Sequence, residues 1–170
     1  MKRTAGDSSS RSANAHFPSR LHSRTSLRSY ITWRRHCLAS RLVTSKNTLI
    51  AVVDDEESIR KALTRLMRSA GLEVASFSSG AEFIESISIR RPDCLVLDLH
   101  MPLMDGFEVQ TRLAGTGSRI PVIIITGQDS SEARSRAMAG HPAAYFCKPV
   151  DGQALLDAIE FAMTSKPHES

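Results

Sequence analysis

Leu49-Ile50-Ala51-Val52-Val53 runs directly into Asp54-Asp55, and three later stretches repeat the design. Cys94-Leu95-Val96-Leu97 runs into Asp98, Pro121-Val122-Ile123-Ile124-Ile125 into Thr126, and Ala143-Ala144-Tyr145-Phe146-Cys147 into Lys148-Pro149. Each run is bare apolar rather than alternating, the pattern of a strand covered on both faces. Helical patterns separate the runs, so the strands belong side by side and parallel in one sheet. The carboxyl ends of parallel strands share an edge, which is where open α/β folds place their ligands. Three carboxylates, a hydroxyl and an ammonium, far apart in sequence, therefore meet at one edge.

Working outward from those runs, the rest of the pattern is five βα units. Strands are predicted over Leu49–Val53, Glu73–Phe77, from Cys94 to Asp98, over Val122–Thr126 and over Ala144–Cys147. The first helix, residues 57–70, carries Ile59, Leu63, Leu66 and Ala70 on one stripe and is closed by Gly71. The second opens with the capping pair Ser79 and Glu82, buries Phe83, Ile84 and Ile87, and is ended by Arg91-Pro92. Asp105 is the N-cap of the third, with Glu108 at N3, and this helix runs to about Ala114. The fourth covers about residues 130–139, and the fifth starts at Asp151 with Leu155, Ile159 and Ala162 facing inward.

A chain of 170 residues suggests one domain with an appendage, or at most two small domains. Its net charge of +4 hides a sharp division. Residues 1–47 hold ten Lys or Arg against the single acid Asp7, whereas residues 48–170 hold twelve against seventeen acids. The first segment reads as a basic, disordered extension, residues 48–165 as the domain, and 166–170 as a tail. Arg34-Arg35 suggests an export signal, but Arg41 and Lys46 interrupt the apolar stretch such a signal needs. A transit peptide, and a start codon placed too far upstream, are two further readings of this segment. Cys37, Cys94 and Cys147 show no pairing or metal-ligand spacing and read as reduced thiols, two of them inside buried strands. No apolar stretch approaches the eighteen or so residues that span a bilayer. The expectation is a cytoplasmic protein.

At the shared edge, Asp54 and Asp55 meet Asp98. Taken alone, Asp54-Asp55 followed by Glu56-Glu57 could simply complement the positive end of the first helix. With Asp98 ending a second strand, three carboxylates repel one another unless a cation sits among them. Hard oxygen ligands suit Mg²⁺ better than Zn²⁺, and no His/Cys cluster competes. Lys148 adds an ammonium and Thr126 a hydroxyl, with Gly127 leaving space beside it. These are the parts of phosphoryl transfer: a carboxylate nucleophile, a divalent ion, and groups that hold the remaining phosphoryl oxygens.

Residues 48–165 resemble the receiver domain of two-component response regulators. The resemblance rests on Val53-Asp54-Asp55-Glu56, Asp98-Leu99-His100-Met101-Pro102, Asp105-Gly106, Thr126-Gly127 and Lys148-Pro149, in that order and separation. It implies a flavodoxin-like, doubly wound five-stranded parallel sheet of order 2-1-3-4-5 with five helices. It implies that Asp98 accepts a phosphoryl group from a sensor histidine kinase or a His-phosphotransfer protein. Asp55 and Asp98 would hold Mg²⁺ through side chains, Asp54 mostly through water, and His100 through its backbone carbonyl. Thr126 and Lys148 would bind the phosphoryl group, Thr126 and Tyr145 would be the switch pair, and the Lys148–Pro149 bond would be cis. The side chain of His100 is expected to affect access of hydrolytic water. Such a protein is no enzyme in the usual sense, since it transfers a group to itself and then loses it.

One position departs from that pattern. The family's glycine seven residues before the lysine is His141 here, with Gly140 one step early and Pro142 after it, so the turn is expected to be rebuilt locally. The sequence reads as carrying no output module after the fifth helix. The expectation is a single-domain regulator signalling through the face of helix four, strand five and helix five, to an unknown protein target. The alternative is a receiver cut from a longer helix-turn-helix transcription factor. A phosphorylation-dependent homodimer is left open, while membrane and nucleic acid are not expected as direct partners. An aspartate-nucleophile phosphatase would want a second acid where His100 stands, and a DNA-binding arm would have to lie in residues 1–47.

Overall fold

The computed structural model describes residues 48–117 and 119–165; the basic extension and the tail expected from the sequence lie outside them. The strands are β1 (Leu49–Val53), β2 (Glu73–Phe77), β3 (Cys94–Asp98), β4 (Val122–Thr126) and β5 (Ala144–Cys147). Between and after them come α1 (Glu57–Ser69), α2 (Gly80–Ile87), α3 (Gly106–Gly115), α4 (Ser131–Ala139) and α5 (Gly152–Thr164). All pairings are parallel and the spatial order is β2-β1-β3-β4-β5, the doubly wound order expected.

Side chains alternate between the two faces of each strand, and here both faces are covered. Ile50, Val52, Cys94, Val96, Ile123 and Ile125 point to one side, where Leu63 and Met67 of α1 and Leu155 and Ile159 of α5 close over them. Ala51, Val53, Leu95 and Leu97 point to the other, under Phe83 of α2 and Val109 and Leu113 of α3. A smaller group of Leu99, Phe107, Ile124 and Ala137 joins α3 to α4. This two-sided burial is why the sequence shows apolar runs instead of alternation.

Local chemistry sets the helix boundaries. Ser79, Asp105, Ser130 and Asp151 each accept a hydrogen bond from the backbone N–H three residues on, and so cap α2, α3, α4 and α5. Gly71 takes φ +83° just past the end of α1. α2 departs from expectation, because it stops at Ile87 and not at Arg91-Pro92. The hydroxyls of Ser86 and Ser88 donate to the carbonyls of Phe83 and Glu85, and the N–H groups of Ile89 and Arg90 both turn onto the Ser86 carbonyl. Serine hydroxyls thus satisfy the last carbonyls before proline is reached. Only Phe83 of the expected trio is fully buried, and Ile84 and Ile87 are half-buried. On α1 the deepest residue is Met67, which the predicted stripe omitted.

The turn after α4 is a second correction: the left-handed residue is not displaced by local rebuilding, since Gly140 has φ −79° and His141 itself enters the left-handed region at φ +50°. Histidine is among the non-glycine residues that tolerate this. Gly140, one step earlier, is the position of close approach: a Cβ there would lie 2.5 Å from Gln110 Nε2 of α3, the end of a side chain that would have to shift.

Candidate functional site

β1 and β3 are neighbours, so their carboxyl ends place Asp54, Asp55 and Asp98 together. One carboxylate oxygen from each lies within 4.8 Å of the others. Asp54 and Asp98 are buried and Asp55 is exposed. The Glu56 N–H donates to Asp54 Oδ1 at 2.9 Å, and the His100 N–H to Asp98 Oδ1 at 3.2 Å. Lys148 reaches in from the end of β5, its Nζ 2.9 Å from Asp98 Oδ2, 2.8 Å from Asp54 Oδ2 and 3.4 Å from Glu56 Oε1. The bond between Lys148 and Pro149 is cis.

The protonation equilibria follow this crowding. Burial pushes the Asp54 carboxyl above its ordinary 3.8, against the pull of Lys148 and the Glu56 N–H. Burial alone would lower the Lys148 ammonium, but its contacts with Asp54 and Asp98 outweigh that and hold it above its ordinary value. The site therefore keeps its lysine charged and resists accumulating unbalanced negative charge.

Thr126 is fully buried at the end of β4. Its hydroxyl donates to the Gln128 carbonyl at 3.0 Å and accepts from the Gln128 N–H at 3.2 Å. His100 Nδ1 lies 3.0 Å from the same oxygen. A hydroxyl has one proton, so with that proton on Gln128 the imidazole is the donor. The side chain of His100 thus rests against Thr126.

On the next strand the Tyr145 hydroxyl donates to Asp129 Oδ1 at 3.0 Å. Arg134 of α4 grips the same carboxylate at 2.7 Å and lies 4.9 Å from the Tyr145 ring centre. Burial, the hydrogen bond to Asp129 and its negative charge push the phenol up to about 12. Thr126 and Tyr145 are therefore tied to successive residues of one loop, Gln128 and Asp129. Cys147, expected inside a strand interior, is instead exposed on this edge, whereas Cys94 is buried as expected.

A sequence model of the response regulator receiver domain matches residues 50–160. The chain belongs to the response regulator receiver family. Nodulation protein W of Bradyrhizobium diazoefficiens is 41% identical over 115 residues, covering 68% of this chain and 51% of that protein. Response regulator protein TmoT of Ectopseudomonas mendocina is 34% identical over 132 residues, covering 78% of this chain and 60% of its own length. The crystal structure of FixJ-N matches with TM-score 0.67 and 30% identity, covering 72% of this chain and 98% of that one. The chain thus spans about half the length of the first of these relatives and three-fifths of the second. It is a receiver domain of a two-component response regulator, with the flavodoxin-like fold.

The receiver's acidic cluster fits a hard cation. Its donors are all oxygens, and Asp54 Oδ2 is buried with the Lys148 ammonium 2.8 Å away. Among the described residues, no helix is long and apolar enough to cross a membrane. Two residues that shape this site were not singled out from the sequence. Asp129 is tied to Tyr145, as described above, and Arg60 on α1 donates from Nη1 to the carbonyls of Asp54 at 2.7 Å and Asp55 at 2.8 Å. An arginine six residues after an acidic strand end is a faint signal, since the first turn of a helix often carries charge.

Proposed function

We propose that this receiver is a phosphoacceptor whose acceptor is Asp98. An Asp98 carboxylate oxygen attacks the phosphorus of a phosphohistidine on a sensor histidine kinase or His-phosphotransfer protein. A P–O bond forms, the P–N bond breaks, and the donor imidazole leaves with the electron pair. The observation that carries the reading is Lys148 Nζ, 2.9 Å from Asp98 Oδ2, beside two further acids and the buried Thr126 hydroxyl. Asp54, Asp55, Asp98 and the His100 carbonyl would hold Mg²⁺, which supplies positive charge against the phosphoryl oxygens when bound. Lys148 and Thr126 hold the oxygens of the transferred group. The imidazole of His100, beside Thr126, is placed to affect the approach of the water that later hydrolyses the acyl phosphate.

Signalling follows from the ties on Thr126 and Tyr145. A hydroxyl that donates to a phosphoryl oxygen gives up its bond to the Gln128 carbonyl. The loop that carries Asp129 is then free to shift, and with it the tether on the Tyr145 phenol. The face built by α4, β5 and α5 is biased between two arrangements and read by a protein partner. A cytoplasmic location and an output by protein contact belong to this reading. The test is incubation with acetyl phosphate and Mg²⁺ followed by intact mass. Wild type gains one phosphoryl group, Asp98→Ala gains none, and EDTA abolishes the gain. Labelling that survives in Asp98→Ala means that the acceptor is another residue.

A further inference from the structure

The three carboxylates of the cluster are not held equally. Asp54 is anchored by the Glu56 N–H and Asp98 by the His100 N–H, and both meet Lys148. The Asp55 carboxylate has no hydrogen bond or ion pair among the described residues, and its side chain is exposed. Its position is therefore set through its backbone. The one side chain that grips this backbone is Arg60, whose Nη1 donates to the carbonyls of both Asp54 and Asp55. Arg60 is itself fixed in the first turn of α1, where its N–H donates to the Glu56 carbonyl at 3.0 Å.

These carbonyls stand where β1 leaves the sheet, beyond the reach of its ladder. The Asp54 N–H still donates to the Phe77 carbonyl of β2 at 3.3 Å. Past that bond, a short loop must turn from a buried strand into an exposed helix while carrying two like charges on adjacent residues. Left to repulsion, Asp55 would rotate outward. A guanidinium holding two successive carbonyls fixes the peptide planes on both sides of Asp55 Cα, and it brings one positive charge to the cluster.

We infer that Arg60 is a positioning residue for the cation site: by clamping the Asp54 and Asp55 carbonyls it presents the Asp55 carboxylate to the ion. It does not touch the ion or the phosphoryl group. The inference rests on the magnesium-dependent reading given above and adds a residue to it. Residues that orient metal ligands commonly contribute about 10- to 100-fold to metal affinity. The loss of Arg60 should fall in that range, while the core of the sheet, which Arg60 does not enter, stays intact.

The experiment is calorimetric titration of the full chain with MgCl₂ alone, for wild type, Asp55→Ala, Arg60→Ala and Arg60→Lys. Thermal unfolding of each metal-free protein is measured in parallel. Arg60→Ala is expected to weaken Mg²⁺ binding about 10-fold or more, with its metal-free unfolding midpoint close to wild type. Arg60→Lys restores part of the affinity, because an ammonium keeps the charge and loses the planar fork. If wild type binds Mg²⁺, Asp55→Ala abolishes binding and Arg60→Ala stays within about twofold of wild type, the inference falls and the magnesium reading stands. If wild type takes up no Mg²⁺, both fall. Should Arg60→Ala unfold, Arg60→Lys decides: affinity equal to wild type assigns the effect to charge alone and overturns the clamp.

Discussion

All five residues of β3 are buried, whereas none of the four residues of β5 is fully buried. Their helices differ in the same way: α3 buries Phe107, Val109, Gln110 and Leu113, but α4 buries only Ala137. Asp98, the proposed phosphoacceptor, stands at the end of β3 and Tyr145 on β5. The phosphoryl chemistry proposed at Asp98 would need an acceptor held to a fraction of an ångström, which close packing supplies. The proposed switch at Tyr145 would need two arrangements of similar free energy, which is easier where few apolar contacts must be broken.

That contrast can be broken by experiment. The largest effect belongs to the interior: Leu97→Ala should cost about 2–5 kcal/mol, because Leu97 is fully buried. Met138→Ala on half-exposed α4 should change stability by less than about 0.5 kcal/mol. Urea denaturation measures both, and comparable losses would erase the distinction. Next comes the loop that follows Asp98. A Cβ on Gly106 would lie 2.3 Å from the Asp98 carbonyl oxygen and 2.8 Å from Leu99 Cα. Gly106→Ala should therefore destabilise by about 1–3 kcal/mol and slow phosphorylation by acetyl phosphate. Gly115→Ala meets nothing within 4 Å and serves as the tolerated control.

The smallest effect sharpens the picture of the edge. Tyr145 should ionise at about 12, read from the ultraviolet absorbance of tyrosinate. Since the folded state favours the neutral phenol, its contribution to stability is complete below pH about 10 and is lost as pH rises through about 12. Asp129→Ala removes the acceptor and the negative charge, so the phenol should titrate nearer its ordinary 10.0 with little change in the unfolding midpoint. An unchanged phenol titration would mean that Asp129 does not restrain Tyr145.

Leu49–Val53 and Val122–Thr126 were legible because burial on both faces writes itself as apolar runs, and the partly buried Glu73–Phe77 and Ala144–Cys147 also match at both ends. So were the acids and the lysine, since parallel strands must bring their ends together. Met67 was missed because one stripe through Ile59 and Leu66 is narrower than the face that α1 presents to the sheet. The early end of α2 was missed because proline is a louder stop signal than a pair of serine hydroxyls. The contact of His100 with Thr126, the grip of Arg60 and the hold of Asp129 on Tyr145 join separate elements. No local pattern encodes such contacts. His141 misled because two requirements that one glycine often meets, close approach and a left-handed φ, are here divided between adjacent residues.

The same division fixes how α4 can move. Gln110 Nε2 donates to the Ala137 carbonyl at 3.4 Å, Arg136 stacks on Phe107 at 4.1 Å, and Gly140 lets α3 press close. These three attachments gather at the carboxyl end of the helix, while its first turn is held through Arg134, by Asp129 and the Tyr145 ring. Were Asp129 to release its hold, a tilt of α4 would have its fulcrum near Gly140 and its greatest sweep at Ser131, about 13.5 Å away at 1.5 Å per residue. In the proposed switch, a small shift of one hydroxyl would in this way be geared up into motion along the whole lever.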